Sequence, residues 1–222
     1  MIIAIDGPSA SGKTTTAKGI AEKLGILHID TGAMYRAVTL GFQNENILPD
    51  ENVRINHFLI KMEISFENGN KIHLNGKDVS KEIRKDNISS KVSNVSAIKH
   101  VRKRMVDLQR DIAENDDCVL EGRDIGTVVF PNADFKFFIN ADLEVRAKRR
   151  FLELEKMGEN ISLDRLILDI KRRDDLDSSR KLSPLKKAKD AIVINTSYLT
   201  IYEQIDKIID IIKKNKETLR NV

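Results

Sequence analysis

This 222-residue chain predicts a three-layer α/β fold, a five-stranded parallel sheet with helices on both faces. Two observations carry that expectation. Runs at 2–5, 26–29, 118–120, 135–139 and 191–194 are short and mostly continuous in apolar character, as strands buried on both faces are. The segments between them repeat apolar residues at helical spacing, the alternation that places helices over a parallel sheet. The length suits one such domain with insertions, and no apolar stretch approaches the roughly 20 residues of a membrane span.

The first run ends at Gly7-Pro8-Ser9-Ala10-Ser11-Gly12-Lys13-Thr14, which fits G-x-x-x-x-G-K-[ST]. A strand that stops at such a loop and a helix that starts inside it aim several backbone N–H groups at one point, where glycines let an anion approach. Lys13 is expected to reach the β and γ phosphates of a nucleotide, and the Thr14 hydroxyl to help hold Mg²⁺. The helix continues through Thr15, repeats Ala17, Ile20, Ala21 and Leu24 at helical spacing, and stops at Gly25, a C-cap residue.

The second run leads into Asp30-Thr31-Gly32-Ala33-Met34-Tyr35-Arg36, with Asp30 or Thr31 as N-cap. A second anion fits that helix start, with the Arg36 guanidinium one turn on. A small antiparallel β insertion is expected at about 62–85, because Asn68-Gly69-Asn70 and Asn75-Gly76 are two turn signals among strand-like residues. Residues 88–114 read as one long helical stretch, broken by nothing stronger than serines.

The third run carries Cys118, the only cysteine, which reads as a buried inert thiol. It ends at Glu121-Gly122-Arg123-Asp124-Ile125-Gly126-Thr127, where open α/β sheets bind ligands. Arg123 suits a phosphate, and Asp124 offers an acceptor for an exocyclic amine such as that of cytosine or adenine. The last helix, near 199–214, sets Ile201, Ile205, Ile208, Ile209 and Ile212 in one packing stripe.

The net charge of +4 is uneven, since 14 Lys and Arg stand against 8 Asp and Glu from Arg146 to Lys189. Arg146, Arg149 and Arg150 share one helical face, as do Arg173, Asp177 and Arg180. Two guanidiniums and one carboxylate suit phosphate, ribose hydroxyl and base edge, whereas Arg150, Arg172 and Lys181 read as a solvated face. Aromatics are only 5% and do not interleave the basic residues, which argues against nucleic-acid stacking. The four histidines show no metal-ligand spacing, and no Asn-Lys-x-Asp motif of a GTPase switch occurs.

These strings together resemble bacterial cytidylate kinases, nucleoside monophosphate kinases of the P-loop superfamily, over essentially the whole chain. The resemblance rests on Ile5-Asp6-Gly7-Pro8-Ser9 leading into Gly12-Lys13, on 30–36, on 122–131, and on Arg172-Arg173-Asp174-Asp175 with Asp177 and Arg180. It implies a three-layer P-loop NTPase fold with a core at about 1–36, 115–150 and 185–222. A monophosphate-binding region would span about 37–114 and a short helical lid about 151–184. It implies ATP as phosphoryl donor, Mg²⁺ as cofactor, and CMP held by Thr31, Tyr35, Arg36, Ser93, Arg102, Arg123, Asp124, Arg173, Asp177 and Arg180. Ser93 and Arg102 come from a looser stretch of the match. Thr31 stands where serine is common, and Glu121 where aspartate also occurs. The catalytic expectation falls on Lys13, Arg36, Arg123 and Arg173, with Arg146 and Arg149 closing from the lid side; Asp6, Asp30 and Glu121 are candidates for the metal's water shell. A small-molecule kinase of shikimate or adenylate type is the competing enzyme. The expected partners are CMP or dCMP and ATP, with no nucleic acid and no membrane, and the chain is expected to be a cytoplasmic monomer.

Overall fold

Each of the five apolar runs is a strand in the computed structural model, which describes residues 1–67 and 71–220. In chain order, β1 (Ile2–Asp6), α1 (Lys13–Leu24), β2 (Leu27–Asp30), α2 (Thr31–Asn44) and α3 (Asn52–Lys61) come first. The insertion follows as β3 (Ile64–Glu67), β4 (Lys71–Leu74) and β5 (Lys77–Asp78), then α4 (Asp86–Ser89), α5 (Val92–Ala97) and α6 (Lys99–Ile112). The chain returns through β6 (Cys118–Gly122), β7 (Phe135–Asn140), α7 (Leu143–Lys156), α8 (Leu163–Ser179), β8 (Ile192–Asn195) and α9 (Ile201–Arg220).

The main sheet is parallel throughout, in the order β2-β6-β1-β7-β8. Alternation along β1 decides which helices cover which face. Ile3 and Ile5 are fully buried with Ala17 and Ile20 of α1 and with Ile205, Ile208, Ile209 and Ile212 of α9. Ala4 points the other way, into a core with Ile29, Leu120 and residues of α2, α3 and α6. Ile201, expected in the α9 stripe, is 51% exposed, because it opens the helix beyond the sheet.

The insertion is a three-stranded antiparallel sheet, β3-β4-β5, with Phe66 opposite Ile72. The expected turn at Asn68-Gly69-Asn70 lies outside the described residues; Asn75-Gly76 joins β4 to β5 with both residues at positive φ. The single helix expected over 88–114 is instead three. Ser90 Oγ donates back to Asp86 O at the end of α4, and Ile98 is extended (ψ 124°), which divides α5 from α6. The break rotates α6 so that Val101, Arg102, Met105 and Gln109 are buried.

Sheet order positions the site. Because β6 lies between β2 and β1, Asp30 is level with Glu121 and Asp6 with Gly122. Three strand ends therefore deliver their loops to one crevice.

Candidate active site

The loop from Gly7 to Thr14 wraps tightly at the end of β1. A Cβ on Gly7 would lie 2.0 Å from Ile139 O, and Gly12 sits at φ 92° to open α1, so both positions need glycine. Lys13 Nζ donates to Pro8 O (2.6 Å) and lies 3.4 Å from Ser11 Oγ. Burial, reinforced by the Arg123 charge, holds its ammonium well below the usual lysine range. Thr14 Oγ1 donates to Glu121 Oε2 (2.9 Å), and His28 Nε2 lies 3.4 Å from the other carboxylate oxygen.

On the β2 side, Asp30 caps α2 by accepting from Ala33 N (2.9 Å). Burial raises its carboxyl, but Arg36 and Arg84 outweigh this and hold it below the usual range. Thr31 Oγ1 donates to Glu121 O (2.6 Å), tying the α2 start to β6.

After β6 the chain makes one π-helical turn, Ile125–Val129, with Phe130 N donating to Ile125 O (2.7 Å). Asp6 anchors it: Oδ1 and Oδ2 accept from Ile125 N and Gly126 N, each at 2.8 Å. Burial pushes the Asp6 carboxyl up to about 6. Asp6 is thus a structural anchor of this turn, and its oxygens are occupied in that role.

The turn presents Arg123 and Asp124. Asp124 Oδ2 accepts from Arg102 Nη1 (2.8 Å), and Arg180 Nη2 stands 4.0 Å from Oδ1. Arg102 in turn lies over the Tyr35 ring, 5.0 Å from its centre. Asp177 accepts from Arg123 Nε (2.9 Å) and from Ser93 Oγ (3.1 Å), with Arg180 Nη1 at 3.5 Å. Burial lowers Arg173 to about 9, helped by Arg123 and Arg36 nearby.

All ten residues that the sequence resemblance assigns to CMP line one cleft, together with Ser9, Ala10, Lys13, Thr14 and Glu121. Lys13, Arg36, Arg102, Arg123, Arg173 and Arg180 face it against four carboxylates, so it carries excess positive charge suited to an anion. Thr15 is exposed, and Arg146 and Arg149 lie behind the loop instead of in the cleft. Arg146 donates to Ala141 O (2.9 Å) and Ser9 O (3.1 Å) and pairs with Asp174; Arg149 donates to Thr196 O (2.7 Å) and Ser11 O (3.3 Å). Arg150 corrects the solvated-face expectation: its side chain is 16% exposed and reaches Arg84 O (3.3 Å) and Ser89 Oγ (3.4 Å), joining α7 to the α4 region.

The family model for cytidylate kinase matches residues 3–214. The chain belongs to the cytidylate kinase family. A cytidylate kinase of Clostridium botulinum is 50% identical over 213 residues, covering 96% of this chain and 98% of that protein. One from Caldanaerobacter subterraneus is also 50% identical, covering 96% and 95%. Among solved structures, a shikimate kinase from Bacteroides thetaiotaomicron has a TM-score of 0.50 at 14% identity, covering 96% of this chain and 98% of that one. A likeness at that identity shows a shared fold alone, and the fold is that of the P-loop kinases.

Within this cytidylate kinase fold, sequence reasoning gave no supporting role to two residues, Asp174 and Gln204. Asp174 Oδ1 accepts from Ser9 N (3.1 Å) while the carboxylate pairs with Arg146, so it braces the phosphate loop from α8. Gln204, buried on α9, accepts from Thr16 Oγ1 (2.9 Å) and would crowd any Cβ at Gly12 (3.2 Å). Asp174 belongs to the Arg172–Asp175 string but nothing local gives its role, and Gln204 sits in no motif; each is defined by a partner more than 150 positions away.

Proposed function

We propose that this chain transfers the γ-phosphoryl group of ATP to the α-phosphate of CMP, and of dCMP, giving ADP and CDP or dCDP. The observation that supports it best is the polarity of the cleft. Buried Asp124 is an acceptor held between Arg102 and Arg180, while Lys13 of the phosphate loop, Arg36, Arg123 and Arg173 lie close enough to feel one another's charge. An acceptor so held pairs with the 4-amino group of cytosine and opposes the O4 of uracil.

A phosphate monoester has a second pKa near about 6, so the attacking oxygen is largely ionised at neutral pH and needs no strong base. The protein's task is positioning and charge. Arg36 and Arg123 hold the acceptor phosphate, and Lys13 follows the phosphoryl group in transit. Arg173, held among like charges, gains most when an anion arrives. Thr14 Oγ1 and Glu121 Oε2, hard oxygen donors 2.9 Å apart, fit Mg²⁺ and its waters. The ion, when bound, would shield charge on the β and γ phosphates. Asp177 and Ser93 address the ribose, and residues 151–184 act as a lid that excludes water. The core at about 1–36, 115–150 and 185–222 carries the phosphate loop together with Thr31, Tyr35, Arg36, Arg123 and Asp124, while the monophosphate-binding region at about 37–114 adds Ser93 and Arg102. No helix among the described residues is long and apolar enough to cross a membrane.

The test is an ADP-release assay with CMP, dCMP, UMP, AMP, GMP and shikimate as acceptors. CMP and dCMP should lead by at least about tenfold; AMP or shikimate in first place would reject the reading.

A further inference from the structure

His28 is a histidine that the proposed reaction does not use, yet it is buried (7% exposed) on β2 beside Glu121. Strand alternation sets it on β2 two residues before Asp30, and β2 pairs with β6, which carries Glu121. Its Nε2 lies 3.4 Å from Glu121 Oε1. The other oxygen, Oε2, accepts from Thr14 Oγ1 at 2.9 Å. The carboxylate thus has one edge toward the imidazole and one toward the loop hydroxyl, in the order His28, Glu121, Thr14.

A glutamate has three side-chain torsions, and a carboxylate that works through one oxygen is fixed only if something holds the other. The main chain of Glu121 is already tied, since its carbonyl accepts from Thr31 Oγ1 at 2.6 Å. The side chain is steered at its far end by His28. An imidazole suits this place because its planar ring holds a polar nitrogen against Oε1 with two torsions, fewer than the longer chains of Lys or Arg. Lys or Arg here would draw on Glu121, whose negative charge supports the Lys13 ammonium against burial and Arg123.

We infer that His28 is a positioning residue for the divalent-cation side of the donor site: it orients Glu121 so that Oε2 stays on the Thr14 hydroxyl and the metal's water shell. This rests on the kinase reading above, which puts the cation at Thr14. Supporting groups one layer behind metal-binding carboxylates commonly account for 10–100-fold in metal affinity.

The test measures Mn²⁺, as a stand-in for Mg²⁺, binding to the enzyme–ADP complex by electron paramagnetic resonance of the free ion. His28→Leu removes the polar nitrogen that faces Glu121 Oε1; His28→Gln keeps a polar group near the same place. The expected result is a Mn²⁺ dissociation constant about tenfold higher for His28→Leu, near the parent value for His28→Gln, with the KM for CMP within about twofold in both. Unchanged Mn²⁺ binding in His28→Leu overturns the inference. So does equal weakening in the two variants, or a parallel rise in the KM for CMP, which would mean that β2 as a whole has shifted. Glu121→Gln separates the layers: if it weakens Mn²⁺ binding and His28→Leu does not, only the role of His28 fails. If neither variant weakens it, the placement of the cation fails with it.

Discussion

Arg102 Nη1 donates to Asp124 Oδ2 across 2.8 Å, with both side chains 5% exposed. A buried carboxylate that already has one cation on one oxygen keeps its remaining lone pairs in a fixed direction, which is what a base reader requires. The same pair is costly to break, because the survivor is a buried unpaired charge.

Asp124→Asn should therefore lower kcat/KM for CMP by about 10²–10³-fold and for UMP by less than about tenfold. The amide keeps an oxygen for Arg102 and turns an N–H toward the base, which matches O4 of uracil. Steady-state assays with both nucleotides check this; equal losses would discard Asp124 as the reader of the amine.

Lys13→Met should reduce turnover by about 10³-fold while CMP binding changes by less than about threefold. A pH effect follows from the same residue. Burial and Arg123 depress Lys13 in the free enzyme, and a triphosphate raises it again. As pH rises through the depressed value, the free enzyme loses a proton that the complex retains. ATP binding then takes up a proton and weakens with increasing pH. Calorimetry in two buffers of different ionisation enthalpy measures the uptake, which should vanish in Lys13→Met.

Asp6 ties β1 to the π-helical turn through Ile125 N and Gly126 N. Asp6→Asn can accept only one of these, and should cost about 1–3 kcal/mol, a fall of about 2–12 °C in Tm. The pH dependence has a defined sign. The folded carboxyl is raised to about 6 from 3.8, so between these values the folded state holds a proton that the unfolded state has released. Stability from this group is full below pH 3.8 and declines as pH rises to about 6. The stability gap between parent and Asp6→Asn should therefore be wider at pH 4 than at pH 7, by about 2–4 kcal/mol. Denaturant titrations at the two pH values test it, and a gap that widens with pH would contradict it.

Asp174→Ala frees Ser9 N and Arg146 together. The phosphate loop loses its brace from α8, and the KM for ATP should rise about tenfold while that for CMP stays within about twofold. Initial-rate kinetics with each substrate varied in turn decide between this and a general loss of folding, in which both would change.

Much of the fold was legible because its causes are local. The continuous apolar runs 2–5 and 118–120 are buried on both faces, whereas the run at 191–194 forms an edge strand with Ile192 and Val193 half exposed; Gly7 and Gly12 mark backbone that a side chain would strain. The long helix expected over 88–114 failed for a tertiary reason: α4, α5 and α6 break at Ser90 and Ile98, and the breaks turn Val92, Val95 and Val101 into one core. Helical periodicity reports which residues are apolar and not where the axis bends. Arg150 was misread for a related reason, since its acceptors, Arg84 O and Ser89 Oγ, lie more than 60 positions away.

The sequence by itself determined the chemistry available: a phosphate loop at the end of the first strand, a capped helix with Arg36, a Gly-Arg-Asp string and a basic helical pair. Each is a short motif whose backbone geometry follows from neighbouring residues. Only the tertiary structure decided which charges face each other. The order β2-β6-β1 puts Asp30, Glu121 and Asp6 on adjacent strand ends, and α8 brings Asp177 to Arg123 and Asp174 to Ser9. Charge pairing depends on a few ångströms of separation in a medium of low polarity, and chain spacing carries no information at that scale.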